Sequence, residues 1–192
     1  MRRFLLFILL FAGIEVSAQN NYIGKSDPEA RSVLKKVSAK YKTYKTLSLN
    51  FSMTIENGQG QKVAAKEGTL ELKGNKYYME MDGDASYSDG SNIYNYDKSA
   101  KEVQITRVNP KDNTLTPQKL FTDFYEKDFL YKLNEDITKG GKVIREVELT
   151  PTDKTQPYFK VLLEIDKSTS NILGAKIFEK NGNKYIYSMS AL

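Results

Sequence analysis

The sequence predicts an α+β domain that is mostly β: an antiparallel sheet or barrel with two helical segments. Three observations carry this. From Leu47 onward, apolar and polar residues alternate in run after run, the period of strands half-buried on one face. Turn signals such as Asn57-Gly58 and Asp89-Gly90 separate the runs at short intervals, as hairpins require and parallel crossovers do not. Two stretches, 26–46 and 117–136, place apolar residues three and four apart instead, which is the helical period.

The first element is not part of that domain. "MRRFLLFILLFAGIEVSAQN" begins with Arg2 and Arg3, continues with an apolar run from Phe4 to Ile14, and reaches Val16 and Ala18 at the small-residue positions of a cleavage site. That is the pattern of a secretory signal peptide over residues 1–18, cut after Ala18. The alternative, a membrane anchor, needs roughly 20 apolar residues, and this run is about half as long. No Cys follows the cut and the chain has none anywhere, so the exported protein has no thiol to receive lipid and no disulfides. Packing alone has to hold it together, and its expected location is the periplasm. Residues 19–192 are enough for a single domain with a substantial core.

The charge is mild. The full chain carries +5, and the leader holds Arg2, Arg3 and Glu15, so the exported domain carries +4. Lysines are interspersed with acids, whereas nucleic-acid binding calls for a basic stripe interleaved with aromatics, so no nucleic-acid partner is expected.

The helix comes next. In "SDPEARSVLKKVSAKYKTYKT", Ser26 or Asp27 can cap the N-terminus, Pro28 suits the first turn and Glu29 complements the positive helix end. Ala30, Val33, Leu34, Val37, Tyr41 and Tyr44 form one apolar stripe of a helix of about 18 residues. The period then switches to two. Leu47, Leu49, Phe51, Met53 and Ile55 share one face of a strand, with Ser48, Asn50, Ser52 and Thr54 on the other. After the "NGQGQ" turn, "GTLELKG" and "NKYYMEMDG" repeat the pattern, the second with Tyr77, Met79 and Met81 together. "NIYNYD" and "EVQITRV" continue the meander past Asp89-Gly90. A loop over 109–117 leads to the second helical stretch, which presents Leu120, Phe121, Phe124, Tyr125, Phe129, Leu130 and Leu133. Strands resume at "VIREVELTP", "YFKVLLEID", "NILGAKIFEK" and "NKYIYSMS".

The chemistry is conspicuous for what is missing. With no His and no Cys, neither a Ser-His-Asp nor a Cys-His arrangement can form, and the usual zinc ligands are gone. Asp82 with Asp84, and Glu135 with Asp136, fall in turns, where acids serve backbone conformation. The doublet around Gly83 lacks the ligand-rich loop of a calcium site. No catalytic residue, metal or cofactor is expected. An apolar strand face with flexible Met53, Met79 and Met81 remains, to be read as an ordinary core under the helices or as an adaptable binding surface.

The order "EGTLELK" (Glu67–Lys73), "YYMEM" (Tyr77–Met81) and "SDGSNIYNYD" (Ser88–Asp97) resembles the outer-membrane lipoprotein carrier protein family, LolA. The resemblance implies an incomplete, strongly curved antiparallel β-barrel, unclosed, with α-helices covering its concave face as a lid. The function it implies is to bind the acyl chains of lipoproteins and carry them through the periplasm from the inner to the outer membrane. The implied partners are acylated lipoproteins, an inner-membrane ABC-type release complex, and an outer-membrane receptor or the membrane itself. The expected state is a monomer. Each methylene exposed to water costs roughly 0.8 kcal/mol, so such cargo needs a dry apolar cavity to cross.

On that reading the acyl-contacting residues are Leu49, Phe51, Met53, Leu70, Leu72, Tyr77, Met79, Met81, Val103 and Ile105, with Leu120, Phe121 and Phe124 in the lid. Two departures from the family pattern stand out. Its lid arginine is replaced within Lys73-Gly74-Asn75, where an ammonium cannot copy a guanidinium fork, and Asp97-Lys98 stands where a proline is usual. Relatives are also expected to carry a further strand beyond "YSMSAL". The alternative is a periplasmic lipid- or glycolipid-binding or stress-sensing module with the same half-barrel.

Overall fold

A computed structural model describes residues 25–109, 121 and 125–191. The leader expected at 1–18 lies outside them. Alternating residues build twelve strands: β1 (Leu47–Glu56), β2 (Lys62–Lys73), β3 (Lys76–Met81), β4 (Asp84–Ser88), β5 (Asn92–Asp97), β6 (Glu102–Arg107), β7 (Phe129–Leu133), β8 (Ile137–Lys139), β9 (Lys142–Pro151), β10 (Tyr158–Asp166), β11 (Ile172–Glu179) and β12 (Lys184–Ala191). Among the described residues two α-helices accompany them, α1 (Pro28–Lys42) and the single turn α2 (Tyr125–Asp128).

All strands join one antiparallel sheet in the order β6-β5-β4-β3-β2-β1-β12-β11-β10-β9-β7, with β8 pairing β9 beside β7. Two meanders, β1–β6 and β7–β12, are thus sewn together where β1 meets β12. β6 and β7 do not meet, so the barrel stays unclosed.

The core sits under α1. Of the seven largest fully buried side chains, Val147, Leu149, Val161, Leu163 and Ile165 come from one face of β9 and β10, and Leu34 comes from α1. This side is called the inner face below. Asp27 caps α1 by accepting the Glu29 N–H at 2.8 Å, and Ala30, Val33, Leu34 and Val37 are buried beneath it. The stripe fades with distance: Tyr41 is half-buried and Tyr44 is exposed beyond the helix end.

Two expectations are corrected. The second helical stretch is not helical from Phe129 to Leu133: this segment is β7, paired with β9 from Phe129–Pro151 to Leu133–Val147. Its spacing fits either period, and Phe129 and Tyr131 are buried as alternate residues, so pairing along the sheet edge overrides local preference. The second correction is β4, a strand too short to show a period in the sequence. Asp82 and Gly83, both at positive φ, turn the chain after β3, and only five residues follow before the next turn. There Gly90 has φ +93°, and a Cβ on it would collide with the Asn75 amide.

Candidate functional site

Register decides which side chains share the inner face, because directly opposed residues point the same way. Three rows run outward from β1 across the N-terminal meander. Leu47 opposes Leu72, then Tyr77, Ser88, Ile93 and Thr106. Leu49 opposes Leu70, then Met79, Ser86, Asn95 and Gln104. Phe51 opposes Gly68, which opposes Met81 and then Asp84. Each row is apolar through β3 and mostly polar beyond it.

Leu49, Phe51, Met53, Leu70 and Tyr77 are buried. All but Met53 belong to the main core cluster, while Leu47, Leu72, Met79, Met81, Tyr187 and Met189 are half-buried and packed against its margin. Phe121 is buried, its ring centroid 4.8 Å from that of Tyr41 on α1. Leu120 and Phe124 lie outside the described residues.

Val103 and Ile105 do not belong to this face. Val103 opposes Tyr96 and Ile105 opposes Tyr94, and these tyrosines stand with Ala85, Tyr87 and Tyr78 on the outer side. Val103 is 55% exposed and Ile105 62%. In β5 and β6 the apolar residues other than Ile93 point outward, and the inner positions go, with Ser86 of β4, to residues that the apolar pattern does not single out: Asn95, Asp97, Glu102 and Gln104. The four residues between Ser88 and Ile93 hold the clue, since hairpin length fixes register.

These inner residues line an open hollow of about 680 Å³, with Met79 and Met81 as its apolar wall, and Val103 also borders it although its side chain belongs to the outer row. That volume is in the range of small-molecule sites. Its polar side is internally tied: Ser86 Oγ donates to Asn95 Oδ1 at 2.7 Å and lies 3.3 Å from the Tyr77 hydroxyl. Asp84 accepts the Lys98 N–H, and Asp97 accepts the Ser99 hydroxyl and the N–H groups of Ser99 and Ala100, bonds that hold its carboxyl below the usual range. A second hollow of about 450 Å³ opens at the sheet end beside Leu47, Leu72 and Tyr77. Among the described residues, no group of three or more acids comes together to hold a metal ion.

α1 is fastened over the other half of the inner face at both ends. At its start the Asp27 N–H donates to Tyr131 O at 2.8 Å and its carboxylate accepts the Leu133 N–H at 3.1 Å. One turn on, Arg31 Nε donates to the Tyr131 hydroxyl at 2.6 Å. At its end Lys40 Nζ donates to Thr169 O at 2.7 Å and to the Asn171 side chain, while the Tyr41 hydroxyl accepts the Ile172 N–H at 3.1 Å. Burial raises the Tyr41 phenol above its ordinary value, against the pull of that N–H.

The family profile described as outer membrane lipoprotein carrier protein LolA matches residues 42–192. The chain belongs to the LolA family. No curated protein sequence matches it. Among solved structures, a DUF1329 family protein from Desulfovibrio piger superposes with a TM-score of 0.51 at 12% identity, covering 86% of this chain and 92% of that one. The Mycobacterium tuberculosis lipoprotein LppX gives 0.50 at 9% identity, over 86% and 95%. An uncharacterized conserved protein from Thermus thermophilus gives 0.50 at 10%, over 85% and 89%. These likenesses speak for the fold. They agree with a LolA-like, mostly β sheet that is not closed into a barrel.

Proposed function

We propose that this LolA family chain is a periplasmic carrier, exported by a leader at 1–18, that lodges lipoprotein acyl chains on its inner face and moves them from the inner to the outer membrane. One observation carries the reading. The apolar inner face does not end at the core but continues as a half-buried fringe through Leu72, Met79 and Met81 to the mouth of the 680 Å³ hollow. Partly covered methionines and leucines gain from further apolar contact at little cost in rearrangement, and Met adapts its shape to an irregular guest. Leu49, Phe51, Met53, Leu70 and Tyr77 form the deeper wall, and Leu120, Phe121 and Phe124 belong to its cover. The donor is an inner-membrane ABC-type release complex, the recipient an outer-membrane receptor or the membrane.

The test is binding of a synthetic peptide carrying a diacylated N-terminal cysteine, followed by tyrosine fluorescence or calorimetry. Micromolar or tighter binding is expected, weakened about tenfold by Met79→Glu, since a buried carboxylate must be desolvated beside the chains. Equal affinity for the unacylated peptide would refute the proposal. A second reading, a lipid- or glycolipid-binding module, is favoured by the polar lining at Ser86, Asn95 and Gln104. It predicts that a glycolipid outcompetes the acylated peptide.

A further inference from the structure

The two edges of the sheet are treated differently. At β7 the outward-facing Tyr131 C=O and Leu133 N–H are both taken by Asp27 at the start of α1. At β6 every residue from Glu102 to Arg107 is exposed. The strand contains neither Pro nor Lys, the residues that usually blunt a free edge.

The outward groups of β6 can be identified. Val108 N–H donates to Ser91 O, so in the alternating antiparallel pattern residues 102, 104 and 106 bond toward β5, and Val103, Ile105 and Arg107 turn their N–H and C=O away from it. Their side chains lie on the outer face, where Ile105 ends the row Tyr78, Tyr87, Tyr94 and the Tyr87 and Tyr94 rings are 5.8 Å apart.

We propose that β6 pairs antiparallel with β6 of a second copy of this chain, about a two-fold axis through Ile105. The sequence reading expects a monomer, and sedimentation separates the two states. In that register Ile105 faces Ile105 of the second copy, Val103 faces Arg107, and Gln104 faces Thr106. Three outward residues from each copy then exchange all their N–H and C=O groups, and no like charges stand opposed. Slipping by two residues instead sets Arg107 against Lys101, which has φ +56° and cannot continue a strand. The aromatic row becomes continuous across both sheets, ending apolar exposure at Ile105 and Val103. Because the β7 edge is occupied and β8 spans only three residues, pairing uses up the one long bare edge among the described residues. It therefore closes at two copies instead of growing into a fibre. An interface this narrow belongs at the weak end of the association scale.

The chain lacks cysteine, so a single introduced thiol reports on proximity. Opposed residues in a hydrogen-bonded pair have Cα atoms about 5.5 Å apart, within disulfide reach. With the exported chain, Ile105→Cys is expected to form disulfide-linked dimers at least tenfold faster than Val63→Cys, a position 59% exposed on β2. Sedimentation velocity of the unmodified chain should show a concentration-dependent dimer, which Ile105→Lys weakens at least tenfold by opposing two ammonium groups at the axis. Equal cross-linking rates for the two thiols overturn the proposal, as does a dimer unaffected by Ile105→Lys. Protection of β6 amides from hydrogen exchange only when other proteins are added also overturns it, and assigns the edge to a foreign strand.

Discussion

At the scale of single residues, the inner face depends on a glycine that alternation would not single out. Gly68 opposes Phe51 on one side and Met81 on the other. A Cβ there would sit 2.2 Å from Glu80 O and 2.8 Å from Phe51 Cζ, so the phenyl ring occupies the space a side chain would need. The ring can swing, but the carbonyl is held in the β2–β3 ladder. Gly68→Ala is therefore expected to destabilise the fold by about 1–3 kcal/mol, the usual range for overpacking, read as a lower urea midpoint at unchanged slope. Gly74→Ala is the control: the added Cβ would meet nothing within 4 Å, leaving the strain of a φ of +58° as the cost of the new side chain. Glu164 is a residue-scale matter of a different kind. Burial disfavours its charge, yet Lys176 Nζ at 2.7 Å, with Lys139 beyond, holds the carboxyl below its ordinary value. Gly174 opposite, bare of a side chain, leaves that pair room.

Among the elements, α1 is a fixture more than a flap. Asp27 caps the helix and also satisfies the Leu133 N–H on β7, so one carboxylate ties helix to sheet. Asp27→Ala should cost about 2–3 kcal/mol, a lost cap together with a stranded edge N–H, and Asp27→Asn should restore part of it. Amide exchange at Leu133 would rise in the first variant and less in the second. The same elements show how far sequence reading reaches. The capped amphipathic helix and the strands β1–β3 declare themselves because propensity, period and burial agree. The β5–β6 hairpin does not: its apolar alternates, Tyr94, Tyr96, Val103 and Ile105, look like a core face and point outward, because register is set by the turn at Asp89-Gly90 and not by hydrophobicity. β7 is illegible for a related reason. Five residues fit helix and strand equally, and only β9, some ten residues later in the chain, decides between them. Half of the candidate site can therefore be read directly. The polar half, Ser86, Asn95 and Gln104, is invisible until the hairpins are aligned.

For the whole molecule, the charge chemistry divides cleanly by pH. Asp166 is held down to about 2, chiefly by the Ser168 hydroxyl and the Thr169 N–H, against an ordinary value of 3.8. Asp89 and Asp153 are lowered by hydrogen bonds in their turns, and Asp97 likewise. For each, the unfolded chain binds its proton more tightly than the folded one. The stability they contribute is complete above the unfolded values near 4 and is lost as pH falls through the lowered folded ones. Tyr41, Tyr158 and Tyr187 shift the opposite way, raised above 10.0 mainly by burial. A buried phenol resists ionising, so the stability it contributes is complete below pH 10 and disappears as pH climbs through the raised folded value. The chain has no histidine or cysteine, the residue types whose ordinary values fall between these two ranges. Thermal unfolding should therefore show a level melting temperature from about pH 5 to 9, with a fall on the acid side below 4 and another above 10. A slope of several degrees between pH 6 and 8 would contradict this account. The plateau also bears on the proposed carrier role. On that proposal, binding of the acylated peptide is expected to be flat over the same plateau, and a marked change in affinity between pH 6 and 8 would contradict it.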